Sequence, residues 1–305
     1  MKYIQFGTTK LKVPKIGLGC MRINELDDDE LPRYIEHCIE LGINFFDHAD
    51  IYGDGTCESR FGEAMKELGI DREDVILQSK CGIKPGWSYN LYYEYIIEHV
   101  DGILERLGTE YLDILLLHRP DALAEPEEIA KAFDELEKTG KVRHFGVSNH
   151  RPSQIDLLKK YVKQPIHANQ IQFSIPFSNS IASGLEANMM TEGAVDRSGD
   201  VLDYCRLNDM TVQAWSPFRS ENGGFVDSNE RYPDLNWALG EIGAKYGVSK
   251  TTIAAAWILR HPAKFQTIAG TMNFSRIEEI AKAPDVTLTR DEWYRLYTAA
   301  GHVLP

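Results

Sequence analysis

The sequence predicts an α/β fold of one kind, the closed (β/α)8 TIM barrel, with parallel strands inside and helices outside. Strand-like apolar runs alternate with amphipathic helix-like segments about eight times along the chain of 305 residues. Such a count over ~250 residues suits a closed barrel better than an open doubly wound sheet. A dinucleotide-binding sheet is further disfavoured, because Arg22 stands where the third glycine of its motif should follow Gly17 and Gly19.

The composition indicates a water-soluble globular protein and argues against two classes of partner. Hydrophobic residues make up 43% of the chain and charged residues 26%, which is enough apolar material for a large core. The net charge of −13 argues against general binding to nucleic acid or to an anionic membrane. No apolar run reaches the ~20 residues of a membrane span, and the first residues lack the apolar core of a signal peptide. We therefore expect a cytoplasmic protein with a single domain, residues 1–305.

The cysteines give no sign of a metal site or of disulfide bonds. They are five in number, widely scattered and without a Cys-x-x-Cys pair: Cys20, Cys38, Cys57, Cys81 and Cys205. This pattern fits a reducing compartment. No spacing of histidines and carboxylates suggests ligands either, so a metal-dependent barrel hydrolase is disfavoured and we expect no metal.

The N-terminal half of the chain is predicted to contain a short hairpin and the first four units of the barrel. The hairpin strands are Tyr3–Phe6 and Leu11–Val13. The barrel strands are Ile16–Gly19, Asn44–Phe46, Val75–Ser79 and Leu112–Leu117. The helices are Asp27–Leu41, Glu58–Leu68, Tyr92–Leu107 and Pro126–Thr139, each followed directly by a glycine, which commonly ends a helix.

The C-terminal half continues the alternation and adds one helix beyond the barrel. Its predicted strands are Val142–Val147, Ala168–Ile171, Thr211–Ala214 and Thr267–Ile268. Its predicted helices are Pro152–Tyr161, Asp200–Leu207, Leu235–Tyr246, Lys250–Leu259, Ser275–Ala281 and the extra C-terminal Thr289–Ala300. Two connections, Ser174–Ser198 and Phe218–Tyr232, are longer than ordinary turns, and we expect irregular loops on the substrate side there.

A cluster of proton-carrying side chains follows the second barrel strand. Asp47, His48, Asp50 and Tyr52 fall within six positions, where the apolar run from Asn44 turns polar. Taken alone, this segment also fits a strand that ends in an ordinary polar turn. Later strands end in polar residues too, and catalytic groups of such barrels sit on the rim where the strands end.

The polar residues at the later strand ends could complete one site. They are Lys80, His118, Ser148 and Asn149, Asn169 and Gln170, and Trp215 and Ser216. Each alone has an ordinary explanation, such as a solvated lysine, a core histidine, a capping glutamine or a packed tryptophan. Their shared position on one rim favours a catalytic site over a series of coincidences.

Four stretches of the chain together resemble the signatures of the aldo-keto reductase family. They are Asp47-x-Ala49-x-x-Tyr52-Gly53, Ser79-Lys80, Leu117-His118 and Gly140-Lys141-Val142-Arg143-x-Phe145-Gly146-Val147-Ser148-Asn149. The resemblance runs nearly end to end, and the residues of these stretches are most similar to those of a bacterial NADPH-linked oxidoreductase subgroup. It implies hydride transfer from a nicotinamide to an aldehyde or ketone, a small-molecule carbonyl substrate.

The resemblance implies a catalytic tetrad of Asp47, Tyr52, Lys80 and His118. Tyr52 would give its proton to the carbonyl oxygen, and Lys80 would lower the pKa of that hydroxyl, which is ordinarily ~10. Asp47 would hold Lys80 in place, and His118 would orient the carbonyl oxygen.

The resemblance also implies the residues that bind the cofactor. Ser148, Asn149 and Gln170 would contact the nicotinamide carboxamide, Trp215 would stack on its ring, and Ser216 and Phe218 would lie beside the pyrophosphate. Phosphate would also meet Gly270, Thr271 and Asn273 at a helix start, with Arg276 on the 2′-phosphate. NADPH is favoured, but NADH stays open because many family members carry a lysine where Gly270 stands.

Several functional questions stay open at the level of the sequence. Candidate substrate contacts are Met21, Trp87, Tyr89 and the connection Phe218–Tyr232, since only Gly301–Pro305 follow the last helix, where many relatives have a long loop. The main alternative to a reductase is a non-catalytic or redox-sensing nicotinamide-binding regulatory subunit, like the channel β-subunits of the same family. The identity of the carbonyl substrate, the direction of reaction, the pathway and the oligomeric state are not predicted.

Overall fold

Eight parallel strands form a closed barrel in the computed structural model, which describes residues 1–86, 88–220, 223–228 and 230–304. The barrel strands, named by their place in the chain, are β3 (Ile16–Gly19), β4 (Phe45–Asp47), β5 (Ile76–Cys81), β8 (Leu112–Leu117), β9 (Val142–Ser148), β10 (Ile166–Gln172), β11 (Thr211–Trp215) and β14 (Gln266–Ala269). They neighbour one another in chain order, and β14 pairs with β3 to close the ring. The predicted TIM barrel is thus confirmed.

Three short antiparallel pairs accompany the barrel. They are β1 (Tyr3–Gln5) with β2 (Lys12–Pro14), β6 (Ile83–Lys84) with β7 (Ser88–Tyr89), and β12 (Arg219–Ser220) with β13 (Gly223–Gly224). The first pair is the predicted N-terminal hairpin. It covers the end of the barrel where the strands begin, since the backbone N–H of Gly7 donates to the Thr211 hydroxyl at 2.8 Å.

The helices lie outside the strands and mostly bury one face, except that residues 251–258 of one helix are all buried. The helices are Glu30–Glu40, Thr56–Leu68, Tyr93–Leu107, Pro126–Lys138, Pro152–Lys159, Asn179–Leu185, Val201–Leu207, Pro233–Tyr246, Lys250–Arg260, Phe274–Ala281 and Arg290–Ala299. The apolar residues of these faces form one large core with the outward side chains of the strands. A smaller core fills the bottom of the barrel and includes Phe6, Phe45, Ile114 and Leu116. The site is therefore confined to the opposite end.

The prediction that two connections are irregular was wrong, since Phe218–Tyr232 contains the pair β12–β13. Residues 174–198 were expected to be irregular, but they contain the helix Asn179–Leu185 and a 3-10 turn, Glu192–Ala194. The helix buries only Ile181 and Ala182 and lacks a long apolar stripe, so its periodicity was too short to be read from the sequence. Among the described residues, the helices are all too short or too polar to cross a membrane.

Candidate active site

A buried ion pair lies at the centre of the rim where the strands end. Asp47 is the last residue of β4, and Lys80 is next to last in β5. The Lys80 ammonium donates to the Asp47 carboxylate at 2.8 Å and to the backbone carbonyl of His48 at 2.8 Å. Both side chains are almost fully shielded from solvent. The two charges can be buried because each lies so close to a charge of opposite sign.

Tyr52 lies beside this ion pair. The Lys80 ammonium donates a third hydrogen bond to the Tyr52 hydroxyl at 3.1 Å. The 3-10 turn that carries Tyr52 is tight, because the backbone of the next residue, Gly53, is left-handed with φ 58°. A Cβ atom on Gly53 would lie only 2.4 Å from the Asn24 amide nitrogen, so this turn favours glycine.

His118 follows β8 and faces the Tyr52 ring at right angles, with 6.1 Å between ring centres. Burial, together with the positive charges of Lys80 and Arg119, lowers the pKa of His118 to about 2. The imidazole is therefore neutral at neutral pH. A neutral imidazole still has one N–H that can donate a hydrogen bond to a carbonyl oxygen.

Burial and charge act on the pKa values of Tyr52 and Lys80 in opposite senses. Burial raises the pKa of Tyr52, and nearby Lys80 lowers it without cancelling that rise. The prediction that Lys80 lowers the pKa of Tyr52 is thus right for that one interaction, but the net direction is upward. For Lys80, burial lowers the pKa, but the interactions with Asp47 and Tyr52 outweigh it and the net shift is upward. Tyr52 is therefore protonated and Lys80 charged at neutral pH.

A cavity of about 470 Å³ opens above these side chains. Its wall includes most of the predicted site residues, namely Met21, Asp47, Tyr52, His118, Ser148, Asn149, Gln170, Trp215, Ser216, Phe218, Gly270, Thr271 and Arg276. Lys80 lies behind the wall and reaches the cavity through Tyr52. One cavity therefore adjoins the predicted tetrad and holds nearly all of the predicted cofactor residues.

Besides Lys80, three predicted residues do not line this cavity or cannot be placed. Asn273 caps the helix Phe274–Ala281, and its side chain accepts from the backbone N–H of Arg276 at 2.9 Å. Tyr89 is exposed on the hairpin β6–β7 and does not itself line the cavity, but its partner in that hairpin, Ile83, does. Trp87 lies outside the described residues. The substrate contact of Tyr89 stays a prediction.

Polar groups at the ends of β9, β10 and β11 are joined to one another. The Ser148 hydroxyl donates to the backbone carbonyl of Gln170 at 2.9 Å, and the Asn149 amide donates to the Ser148 hydroxyl at 2.8 Å. The Trp215 indole N–H donates to the Asn149 amide oxygen at 3.1 Å. Asn149 and Ser216 have left-handed backbones, with φ 55° and 50°. Such conformations in residues other than glycine are costly and concentrate at functional sites.

Sequence reasoning missed several arginines that face the cavity. Arg22 lies in the turn after β3, and its guanidinium donates to the backbone carbonyl of Gly270. Arg119 holds its guanidinium 5.6 Å from the centre of the Trp215 ring. Together with Arg219 and Arg276 they surround the cavity with positive charge in a chain whose net charge is −13. Arg119 directly follows His118, which was the one signal that could have found it.

A second buried charge pair lies behind the strand that carries Lys80. The Glu58 carboxylate is fully buried, and it accepts from the Ser79 hydroxyl at 2.7 Å and from the Arg106 guanidinium at 2.8 Å. Burial raises the pKa of Glu58, while Ser79 and Arg106 act against that rise. Ser79 precedes Lys80, so these bonds fix the backbone from which the lysine projects.

Comparison with known proteins agrees with this arrangement. The model of the Aldo/keto reductase family matches residues 15–300. An uncharacterized oxidoreductase of Bacillus subtilis, YcsN, is 36% identical over 97% of both chains, and a 6-dehydroglucose reductase of Agrobacterium fabrum is 35% identical over 95% of both. More distant relatives include plant proteins described as probable voltage-gated potassium channel subunits beta.

A solved structure agrees as well. A thermostable aldo-keto reductase crystallised with the inhibitor epalrestat superposes with a TM-score of 0.79 at 26% identity, covering 98% of this chain and 100% of the other. The family match over nearly the whole chain, the relatives and the shared barrel agree with one another. The protein belongs to the aldo/keto reductase family, a family of oxidoreductases.

Proposed function

We propose that this protein is an NADPH-dependent reductase that converts an aldehyde or ketone to an alcohol, with Tyr52 as the proton donor. One observation carries the proposal: the Lys80 ammonium bonds both the Asp47 carboxylate and the Tyr52 hydroxyl, beneath a cavity that His118 also faces. A hydroxyl bonded to a buried ammonium can give up a proton, because the phenolate it leaves is next to a positive charge.

Each side chain of the tetrad has a separate task in the proposed reaction. His118 donates its N–H to the substrate carbonyl and turns the oxygen towards Tyr52. Tyr52 gives its proton to that oxygen as negative charge develops there. Lys80 stabilises the resulting phenolate, and Asp47 keeps Lys80 charged and aimed at Tyr52. When bound, NADPH supplies the hydride that reduces the carbonyl carbon.

The residues around the cavity fit a nicotinamide cofactor. The side chains of Ser148, Asn149 and Gln170 offer the donors and acceptors that a carboxamide needs, and the Trp215 ring offers an aromatic face. Arg22 and Arg276 lie on the wall with Gly270 and Thr271, where they would attract phosphate. Gly270 stands where many family members carry a lysine. The Arg22 guanidinium could replace that positive charge, because it donates to the Gly270 carbonyl.

Sugar-derived aldehydes are the substrates that we propose to test first. The relatives of Agrobacterium fabrum and Novosphingobium aromaticivorans, 35% and 32% identical, are both described as 6-dehydroglucose reductases. The alternative, a regulatory subunit that binds nicotinamide without turnover, draws on the plant channel subunits. The reductase fits better, because a subunit without turnover has no need of a proton donor held by a buried ion pair.

The proposal is tested by following NADPH consumption with a panel of sugar-derived, aliphatic and aromatic aldehydes. We expect native protein to turn over and Tyr52→Phe to lose roughly 10²–10⁴-fold in kcat, since general acid catalysis is worth that much. NADPH binding, followed by fluorescence, should persist in the variant. Tyr3→Phe is the control, because Tyr3 is exposed on the N-terminal hairpin, at the opposite end of the barrel. Equal activity of Tyr52→Phe and native protein would show that the proton donor is another group.

A second prediction concerns the choice between NADPH and NADH. We expect Arg276→Ala to weaken NADPH binding roughly tenfold or more and NADH binding much less, because a charged hydrogen bond to the 2′-phosphate is worth about 1.5–3 kcal/mol. Dissociation constants from cofactor fluorescence measure this. Arg290→Ala is the control, an exposed arginine also near a helix start but away from the cavity wall. Equal weakening of both cofactors would contradict the assignment of Arg276.

A further inference from the structure

Four glutamines lie inside the barrel beneath the candidate site. They are Gln78 on β5, Gln170 on β10, Gln213 on β11 and Gln266 on β14, and none is more than 2% exposed. Gln170, Gln213 and Gln266 are direct neighbours in the strand register, and Gln78 is the direct neighbour of Asp47. Barrel interiors of this kind are normally filled by branched apolar side chains. Four amide side chains inside the barrel are therefore unusual and need an explanation.

The amides form one connected network. Gln78 and Gln213 exchange two hydrogen bonds, each of 3.0 Å. The Gln213 amide also donates to Gln266 at 2.9 Å, and its oxygen accepts from Gln170 at 3.1 Å. Gln266 in turn donates to the backbone carbonyl of Pro14 at 2.9 Å. A fully connected polar network of this type is rigid, because a change in any member leaves a buried polar group without a partner.

The two ends of the network fix the direction in which its amides point. At one end is a backbone carbonyl, which can only accept, and at the other is the Asp47 carboxylate, which also accepts when ionised. Gln78 must therefore turn its N–H groups towards Asp47, and Gln266 must turn its N–H groups towards Pro14. The reciprocal pair of Gln78 and Gln213 joins the two halves without a clash of donors or acceptors.

The network reaches the buried ion pair at a single carboxylate oxygen. Asp47 Oδ1 accepts from the Gln78 amide at 2.6 Å and from the Gln170 amide at 3.1 Å. The Lys80 ammonium lies 2.8 Å from the same carboxylate. Gln78 makes the shorter of the two amide bonds, and its side chain is completely buried.

We propose that Gln78 is a positioning residue of the reductase, which holds the Asp47 carboxylate and through it the distance of Lys80 from Tyr52. This inference rests on the proposed function, because it assigns Gln78 a task in the same proton transfer. Two donors on one oxygen hold the carboxylate against rotation and withdraw part of its negative charge. The field of Lys80 at the Tyr52 hydroxyl is then less cancelled by Asp47.

The direction in which loss of the Gln78 amide shifts the pKa of Tyr52 can therefore be predicted. Of the ionisable groups around Tyr52, Lys80 lowers its pKa, and Asp47 and Cys20 raise it. His118, which faces the Tyr52 ring, is neutral. Without the Gln78 amide, Asp47 carries more of its negative charge and draws Lys80 closer to itself. Both changes raise the pKa of Tyr52.

The test compares Gln78→Met with Gln266→Met. Both replace a completely buried amide of the same network by an apolar side chain of similar length, but only Gln78 contacts Asp47. The pKa of Tyr52 is read from the NMR signals of ring-¹³C tyrosine, with the Tyr52 signal identified by its loss in Tyr52→Phe. We expect an upward shift of roughly half a unit or more in Gln78→Met and none in Gln266→Met. The limb of the kcat–pH profile that reports Tyr52 should move by the same amount.

A purely structural role for Gln78 predicts a different result. Both variants should then lower the melting temperature and leave the pKa of Tyr52 unchanged, which would overturn the proposal. An equal shift in both variants would also overturn it, since the effect would not pass through the bond to Asp47. The NMR comparison needs no substrate, so a protein that reduces no carbonyl would refute the proposed function separately.

A third variant covers the case in which Gln78→Met does not fold. Gln213→Met removes the partner that orients Gln78 but does not itself touch Asp47. The pKa of Tyr52 should then rise by less than in the direct case. No rise in Gln213→Met would overturn the proposal.

Discussion

Lys80→Met is expected to reduce carbonyl turnover by roughly 10²–10⁴-fold and at the same time to destabilise the fold by about 3–5 kcal/mol. The first effect follows because the Tyr52 phenolate loses the only positive charge that hydrogen-bonds it among the described residues. The second follows because the Asp47 carboxylate, only 3% exposed, is left buried without its counter-charge. Steady-state kinetics and urea denaturation measure the two effects.

The two effects of Lys80→Met can be separated by a second substitution. The double variant Asp47→Asn/Lys80→Met removes both charges, so most of the lost stability should return while turnover stays low. Lys141→Met is the matched control, since Lys141 pairs with Asp101 at 2.6 Å in a half-exposed position. Exposed pairs contribute only about 0–1 kcal/mol. Turnover within tenfold of native in Lys80→Met would remove Lys80 from the mechanism.

Much of this architecture follows from local sequence features. The strand β8 is almost entirely apolar and fully buried, and most of the predicted helices end at left-handed glycines such as Gly69 and Gly108. Both signals act over a few residues, which is why the alternation of strands and helices was predictable. The proposed tetrad was predicted from the resemblance to the aldo-keto reductases, although Asp47, Lys80 and His118 also stand at or next to strand ends.

The network beneath the site was not predictable in this way. Gln78 and Gln213 are 135 positions apart, and they meet only because the barrel closes and sets the register of its strands. Each glutamine alone is an ordinary polar residue in an apolar strand. The same limit applies to Arg22 and Gly270, which are 248 positions apart. Contacts of this kind depend on closure and register, which no local pattern specifies.

His48 contributes to the acid sensitivity of the folded protein, and a single substitution should remove that contribution. The side chain is fully buried against the Phe61 ring, and neither ring nitrogen has a hydrogen-bond partner among the described residues. Burial lowers the pKa of His48 from the ordinary 6.5 to about 3, with a smaller contribution from the positive charge of Lys80. Folding therefore requires the neutral form of this imidazole.

The sign of the pH dependence follows from proton binding. Below pH 6.5 the unfolded chain takes up a proton on His48 and the folded protein does not, so stability falls as the pH falls. At pH 5 the unfolded state gains about 2 kcal/mol from this one group, because each pH unit below 6.5 is worth about 1.4 kcal/mol. The loss would continue towards the folded pKa near 3.

We expect His48→Leu to be at least as stable as native protein at pH 7 and about 2 kcal/mol more stable relative to native at pH 5. The bond from Lys80 to residue 48 is made by the backbone carbonyl and remains in the variant. His150→Leu is the comparison, since burial lowers its pKa to about 4 but its ring nitrogen lies 2.9 Å from the Ser148 carbonyl. That variant should lose stability at pH 7, where His48→Leu does not, because only His150 gives up a hydrogen bond. Urea denaturation at both pH values measures these free energies of unfolding. If the difference in stability between native protein and His48→Leu is the same at pH 5 and pH 7, His48 is protonated or solvated in the folded state.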